Sequence, residues 1–321
     1  MRVYVKTPAR LHLGIINPTG SFGRMYGSIG VAVDRPNVVL EASPNREIEV
    51  VGDEAELAEA AAKRFLRFHG IDAGVRLVVR QMIPRHVGLG SGTQLSLAVA
   101  AALSKLLGVG LSVRQLAAIM GRGSISGIGT AAFEGGGFIL DGGLRCGDGV
   151  VAPTSGIPPL LVRRSFPEDW FFVVAIPGVG RGLSGETEIS VFKEFKCSDV
   201  NLGEICRLIL MRMLPALEEE DIEVFGESLT RIQRFVGEFF RNYQGGIFGS
   251  LLGAECIDLM LREGAYGVGQ SSWGPAVYGL VRGLEAARSL TEVVWRFISR
   301  GVGGLVFHAA ADNRGAQISV E

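Results

Sequence analysis

Pro84-Arg85-His86-Val87-Gly88-Leu89-Gly90-Ser91-Gly92-Thr93-Gln94 decides how the rest of this chain is read. The alternating run Val75 to Arg80 before it predicts a strand. Leu95 to about Leu107 after it predicts a helix. Three glycines and two hydroxyls therefore stand where a loop enters a helix. Such a loop lets backbone N–H groups approach an anion, and the helix N-terminus adds positive potential. The ligand this predicts is a phosphate or pyrophosphate. A Walker A loop is excluded because no Gly-Lys-Ser/Thr follows at its spacing, and the Gly-x-Gly-x-x-Gly fingerprint of dinucleotide folds is absent.

The whole chain fits a small-molecule binder. Its 321 residues suffice for one large or two ordinary domains, and 47% are hydrophobic, enough for a sizeable core. A formal net charge of −1 with no basic block argues against nucleic-acid binding. No apolar run reaches the ~18 residues of a membrane span. The first residues, Arg2 to Lys6, read as a strand rather than a leader. The four cysteines, Cys146, Cys197, Cys206 and Cys256, show no CxxC and are expected as buried, reduced thiols in a cytoplasmic protein.

Outward from the loop, residues 2–6, 11–16, 31–33, 37–41 and 47–51 read as strands and 54–68 as a helix. Ser112 is a plausible N-cap for a helix through Met120, before a glycine-rich stretch from Gly121 to Gly143. Pro153 to Pro159 reads as a connection and Trp170 to Ile176 as an apolar strand. Helices are predicted over 203–219, 221–241, 246–263 and 275–288. Glu292 to Ile298 suits a helix or a strand entry, and Gly304 to Ala311 a terminal strand. These elements predict two α+β domains, 1–165 and 166–321.

Two further glycine-bearing segments flank the loop in order. Thr7-Pro8-Ala9-Arg10-Leu11-His12-Leu13-Gly14 runs on to Gly27-Ser28-Ile29-Gly30, and Gly267-Val268-Gly269-Gln270-Ser271-Ser272-Trp273-Gly274-Pro275 comes late. Together the three segments resemble the GHMP kinase superfamily, whose second motif runs Pro-x-x-x-Gly-Leu-Gly-Ser-Ser. The resemblance covers nearly the whole chain. It implies a two-domain α+β GHMP-kinase-like fold with a phosphate-binding glycine loop at a helix N-terminus. Within the superfamily, Arg24 ahead of Gly27-Ser28-Ile29-Gly30 and the wording Gly90-Ser91-Gly92-Thr93-Gln94 are similar to the β-ribofuranosylaminobenzene 5'-phosphate synthase branch of methanopterin biosynthesis. That branch joins phosphoribosyl pyrophosphate to the carboxylate-bearing carbon of 4-aminobenzoate, releasing carbon dioxide and pyrophosphate without ATP. Magnesium travelling with the pyrophosphate is implied, and no organic cofactor. Many kinases of the superfamily carry an Asp base where this chain has Ser124-Ile125-Ser126-Gly127-Ile128-Gly129-Thr130, which holds no acid.

Catalytic candidates are Arg10, His12 and Arg24. Arg10 and His12 share strand parity and suit one cleft, with Arg10 holding a phosphate or carboxylate bidentately. Arg24 in a glycine-rich loop suits a 5'-phosphate. Their bland alternatives are a buried ion pair, a satisfied core histidine and a solvated loop arginine. Gly88, Gly90, Ser91, Gly92, Thr93 and Gln94 are read as the pyrophosphate cradle, against a mere structural turn. Gly267, Gly269, Ser271 and Ser272 are read as closing over the anion or ring, against a bare interdomain turn. Glu134 and Asp141 are candidate magnesium ligands or surface loop acids. Arg85 and His86 are weaker anion contacts, and His69 a helix-end partner. Trp273 is a stacking candidate, whereas Trp170-Phe171-Phe172 reads as core. The partners are small-molecule substrates, with a homodimer left open. Two rivals share the loops: an ATP-dependent kinase of the same fold, and a non-catalytic phosphometabolite-binding protein.

Overall fold

Alternation in the first segment produces one long strand instead of two. In the computed structural model, which describes residues 1–147, 150–151, 156–180, 191 and 202–321, β1 spans Val3–Asn17. Its inward residues Val3, Val5, Ala9, Leu11 and Leu13 are buried. The gap expected around Pro8 is absorbed by a register shift between Thr7 and Ala9 against the next strand, where a residue without an N–H is tolerated. That next strand, β2 (Arg24–Asn45), changes partners along its length. Its later half pairs β4 (Gly74–Gln81), which carries the parallel edge strand β3 (Glu49–Gly52). Its earlier half pairs β5 (Phe138–Asp141) and β6 (Leu144–Gly147). Short β7 (Val150–Val151) joins β6, and β8 (Leu160–Arg164) joins β5.

The helices of this half cover one broad sheet. α1 (Ala55–His69) turns Ala58, Ala62 and Phe65 inward. α2 (Ser91–Leu106) starts at the glycine loop and is buried almost all round, as a central helix must be when it packs on β1 and β2 and is covered by α1. α3 (Val113–Ile119) begins at Ser112, which forms a capping box with Gln115. The glycine-rich stretch contains a further helix, α4 (Ile128–Gly135), before β5.

The second sheet runs β10-β11-β9-β12. β9 is Trp170–Pro177, β10 Gly267–Gln270, β11 Val277–Arg282 and β12 Gly304–Ala310. α5 (Leu202–Leu208) continues through a π-helical turn, Ile209–Met213, into α6 (Leu214–Glu218). α7 (Ile222–Gln244), capped by Asp221, packs on both β1 and β10. α8 (Leu251–Arg262) and α9 (Leu284–Ser299) complete this half. The segment 275–288 is therefore not one helix. Val277-Tyr278-Gly279-Leu280-Val281 is β-branched and aromatic about a glycine, and it buries every residue between neighbouring strands β9 and β10. Its apolar run alone did not separate a buried strand from a buried helix.

The 165/166 division falls between β8 and β9, yet the chain crosses back. After β12, Asp312 N–H donates to Ala32 O (2.9 Å), and β13 (Gln317–Val320) pairs antiparallel with β1. One large apolar cluster runs through both halves, including Phe138 and Phe225 with ring centroids 6.1 Å apart. Trp170 and Phe172 lie fully buried inside it, as core rather than as a substrate shelf. Among the described cysteines, Cys256 is buried, but Cys146 is half-buried and Cys206 exposed, so burial does not hold for all; Cys197 lies outside the described residues.

Candidate active site

The three glycine-bearing segments meet at one hydroxyl. Ser271, fully buried, accepts the backbone N–H of His12 (2.9 Å) and donates to the carbonyl of Gly88 (2.6 Å). Ala276 N–H donates to Val87 O (3.1 Å) beside it. A Cβ on Gly88, whose φ is +90°, would stand 2.1 Å from the Ser271 carbonyl oxygen, so only glycine allows this approach. Ser271 is thus a fastener between halves, and its hydroxyl is already engaged.

Next to this junction lies a cleft of about 230 Å³. Arg10, His12 and Thr93 line one part and Arg122 to Ser126 another. Gln233, Phe240, Gln270, Ser272 and Trp273 come from the second half. Arg10 donates through Nη1 to Gly88 O, and its side chain lies against Gly90, where a Cβ would be 3.0 Å from Arg10 Cγ. α2 begins at Gly90 (φ +82°) with no side-chain cap, which leaves its first N–H groups for a ligand. Thr93 reaches the cleft itself, while Gly88, Gly90, Ser91 and Gly92 form the turn behind it. Gln94 does not reach an anion from there. It is fully buried and donates to Gly129 O (2.8 Å), tying α2 to α4.

His12 is buried, and that burial, helped by the Arg10 charge, lowers its pKa to about 3. It is a neutral imidazole at working pH, able to donate or accept a hydrogen bond but not to act as a cation. Arg24 stands apart from Arg10 and His12. It opens β2 and donates Nε to Gly142 O (2.6 Å) and Nη2 to Gly143 O (2.8 Å), beside a separate cavity of about 290 Å³. The free-loop placement expected for it gives way to a strand position with the guanidinium turned to backbone carbonyls.

Gly267 and Gly269 also play a different part from the one expected. Both lie buried in β10, and a Cβ at either would collide with α7, 2.6 Å from Gly226 Cα and 2.5 Å from Gln233 Cγ respectively. They permit close packing of strand on helix rather than contact with an anion. Ser272, with φ +55°, does line the cleft.

Sequence reasoning missed one face of α7. Gly226, Thr230, Gln233, Gly237, Phe240 and Gln244 recur at helical spacing along it. Thr230 Oγ1 accepts Val268 N–H (3.1 Å). Gln233 donates to Leu13 O (2.6 Å) and accepts Gln270 N–H (2.8 Å). Phe240 meets Trp273 with centroids 4.8 Å apart. Two glycines, two glutamines and a threonine recurring with Phe240 along one helix face were the available signal. Arg122 was missed as well, although it stands between Gly121 and Gly123 just ahead of the acid-free stretch.

No carboxylate lines the cleft among the described residues, and these contain no cluster of acids, histidines and cysteines fit for a metal. Glu134 of α4 pairs with Arg163 of β8 (2.8 Å). Asp141 is a buried clamp that accepts N–H groups of Gly127 and Gly143, both at 2.9 Å, with its pKa raised to about 6 by burial against those bonds. The described residues thus do not fit a protein-held magnesium site. Arg85 is tied to Glu54 (2.8 Å), and His69 closes α1 against Phe65 and Phe68.

Comparison with known proteins gives the family and the fold. The GHMP kinases N terminal domain model matches residues 56–137, and the GHMP kinases C terminal model residues 213–296. A Methanothermobacter thermautotrophicus protein named beta-ribofuranosylphenol 5'-phosphate synthase is 40% identical over 87% of this chain and 89% of its own. This chain belongs to the beta-ribofuranosylphenol 5'-phosphate synthase family of GHMP-fold proteins. A relative of the same name from Archaeoglobus fulgidus is 38% identical over 98% of this chain and 99% of its own. Homoserine kinase from Cytophaga hutchinsonii shares the fold with a TM-score of 0.68 at 18% identity, over 99% of this chain and 97% of that one. No described helix is long and apolar enough to cross a membrane.

Proposed function

We propose that this cleft joins phosphoribosyl pyrophosphate to a hydroxy- or aminobenzoate at the ring carbon bearing the carboxylate, giving a C-riboside 5'-phosphate, carbon dioxide and pyrophosphate. The observation that carries the reading is the cleft's chemistry. Two guanidiniums and a neutral histidine face an aromatic wall, with no described carboxylate to activate an alcohol for phosphoryl transfer. The relatives' name specifies a phenol product, which favours 4-hydroxybenzoate as acceptor over the aminobenzoate suggested by the motif wording.

The steps need little from the protein beyond placement. The C1–O bond to pyrophosphate breaks with its electron pair leaving on oxygen. The ring carbon gives a pair to C1. The ring–carboxylate bond then breaks, carbon dioxide departs, and that pair restores aromaticity. No external base acts at the ring carbon. Arg10 and the start of α2 stabilise the charge developing on pyrophosphate, acting from fixed positions in a partly dry site. Trp273 and Phe240 hold the ring and exclude water. Neutral His12 is suited to accept a hydrogen bond from the acceptor hydroxyl. Magnesium would be held by the pyrophosphate rather than by the described residues, and would supply charge neutralisation to the leaving group.

Purified protein should release equal moles of carbon dioxide and pyrophosphate from phosphoribosyl pyrophosphate and 4-hydroxybenzoate. ADP formation from ATP and a small alcohol, without carbon dioxide, would return the site to the kinases.

A further inference from the structure

Arg122 lies between two glycines of positive φ, +64° and +85°, and the turn folds it back over the first turn of α2. Its Nη2 donates to Ser96 Oγ (2.7 Å), which fixes one edge of the guanidinium. Its Nε is buried without an acceptor. A Cβ on Gly92 would sit 3.7 Å from Nη1, so the other edge stands over the loop residues that begin the helix. Arg64 comes from α1. It donates Nε to Ile119 O (2.6 Å) and lies against Gly121, where a Cβ would be 2.9 Å from Nη2. Neither arginine has a carboxylate partner among the described residues. Burial, with the charge of Arg64 added, pulls the Arg122 pKa down. Arg122 is half-buried and Arg64 stands exposed beside it, so their like charges, without a described carboxylate partner, make a positive spot that an arriving anion would relieve.

Arg122 also belongs to two spaces at once. It lines the cleft, and it lines a groove of about 650 Å³ between α1 and α3 that carries Lys63, Arg64 and Arg67 on its rim. Lys63 is paired with Glu59 (2.5 Å), and of the remaining groove cations Arg64 and Arg122 are the two that stand against the Gly121 turn and the start of α2. We propose that Arg122 and Arg64 form an oxyanion site that takes the departing pyrophosphate and leads it from the cleft into the α1 groove. The site fits a diphosphate better than the aryl carboxylate, because Arg122 stands over the start of α2 with Arg64 next to it along the groove, and a single carboxylate would satisfy only one of the two guanidiniums. The identity of the diphosphate as a leaving group rests on the proposed reaction; the site itself rests on the two arginines.

Calorimetric titration with inorganic pyrophosphate in magnesium-containing buffer tests it, alongside thermal melts of each variant. Arg122→Gln should weaken pyrophosphate binding more than tenfold, and Arg64→Gln should weaken it measurably. Arg122→Lys should recover part of the affinity, since the point charge returns without the planar fork. Product inhibition by pyrophosphate should weaken in parallel in the variants that turn over. Pyrophosphate affinity within twofold of wild type in a folded Arg122→Gln protein overturns the site, as does failure of the wild type to bind pyrophosphate. Wild-type protein that binds pyrophosphate through Arg122 but releases no carbon dioxide leaves the site standing and removes the reaction.

Discussion

At His12, burial decides protonation before any substrate arrives. In the unfolded chain the imidazole takes a proton near its ordinary 6.5, whereas in the folded protein burial first, then Arg10, lowers the value to about 3. Between those values the unfolded state binds the additional proton, so this group's contribution to stability is intact above about pH 6.5 and drains away as pH falls toward 3. Asp141 has the opposite sign. Its folded value is raised from 3.8 to about 6, so its contribution is intact below 3.8 and lost as pH rises through 6. The difference between wild type and His12→Gln cancels Asp141 and isolates the histidine. Urea unfolding at several pH values should show wild type losing ground to His12→Gln below pH 6.5, by roughly a kcal/mol per pH unit at most, with no relative change between pH 7 and 8. Parallel curves throughout would mean that position 12 is solvated and free to be a cation in the cleft.

Strand β10 and helix α7 act as a unit, and their glycines separate packing from binding. Gly267→Ala drives a Cβ into Gly226, away from the cleft, and should cost about 1–3 kcal/mol in urea unfolding while leaving pyrophosphate affinity close to wild type once folded. Gly88→Ala drives a Cβ into the Ser271 carbonyl at a positive φ and should lose both stability and affinity, because the fastener and the anion loop share that residue. Equal effects of the two on affinity would place Gly267 back among the anion contacts. The same contrast explains what was legible in the sequence. The loop entering α2 is legible as a glycine turn at a helix start because Gly88 and Gly90 both take positive φ there. Gly267 and Gly269 were ambiguous: a Gly-x-Gly ahead of two serines suits an anion loop or a packed strand equally. The deciding neighbour, Gly226, lies on a helix far upstream. Arg24 was misplaced for a related reason, since flanking glycines suggest freedom whereas its carbonyl partners come from Gly142 and Gly143, a remote hairpin. Arg122 had no local pattern beyond its two glycines, and only the fold sets it over Gly92.

Over the whole molecule, two sheets share one core. Phe166 and Trp170 of the second half pack with Phe225, Phe172 stacks on Phe166, and Phe225 in turn meets Phe138 of the first sheet. β13 leaves the second sheet's side to pair with β1, so cutting the chain after residue 165 removes an edge partner and the aromatic cover together. Apolar surface exposed in that way loses about 25 cal/mol per Å², and a domain's net stability is only ~5–15 kcal/mol. A fragment of residues 1–165 should therefore show no cooperative melt and should bind hydrophobic dyes. The intact chain should unfold in a single calorimetric transition with matching calorimetric and van't Hoff enthalpies. Because the cleft draws residues from both halves, phosphoribosyl pyrophosphate should raise that one transition as a whole, by about 2.7 kcal/mol at a hundredfold excess over its dissociation constant. Two resolved transitions, of which the ligand shifts only one, would show that the halves fold separately and that the cleft belongs to one of them.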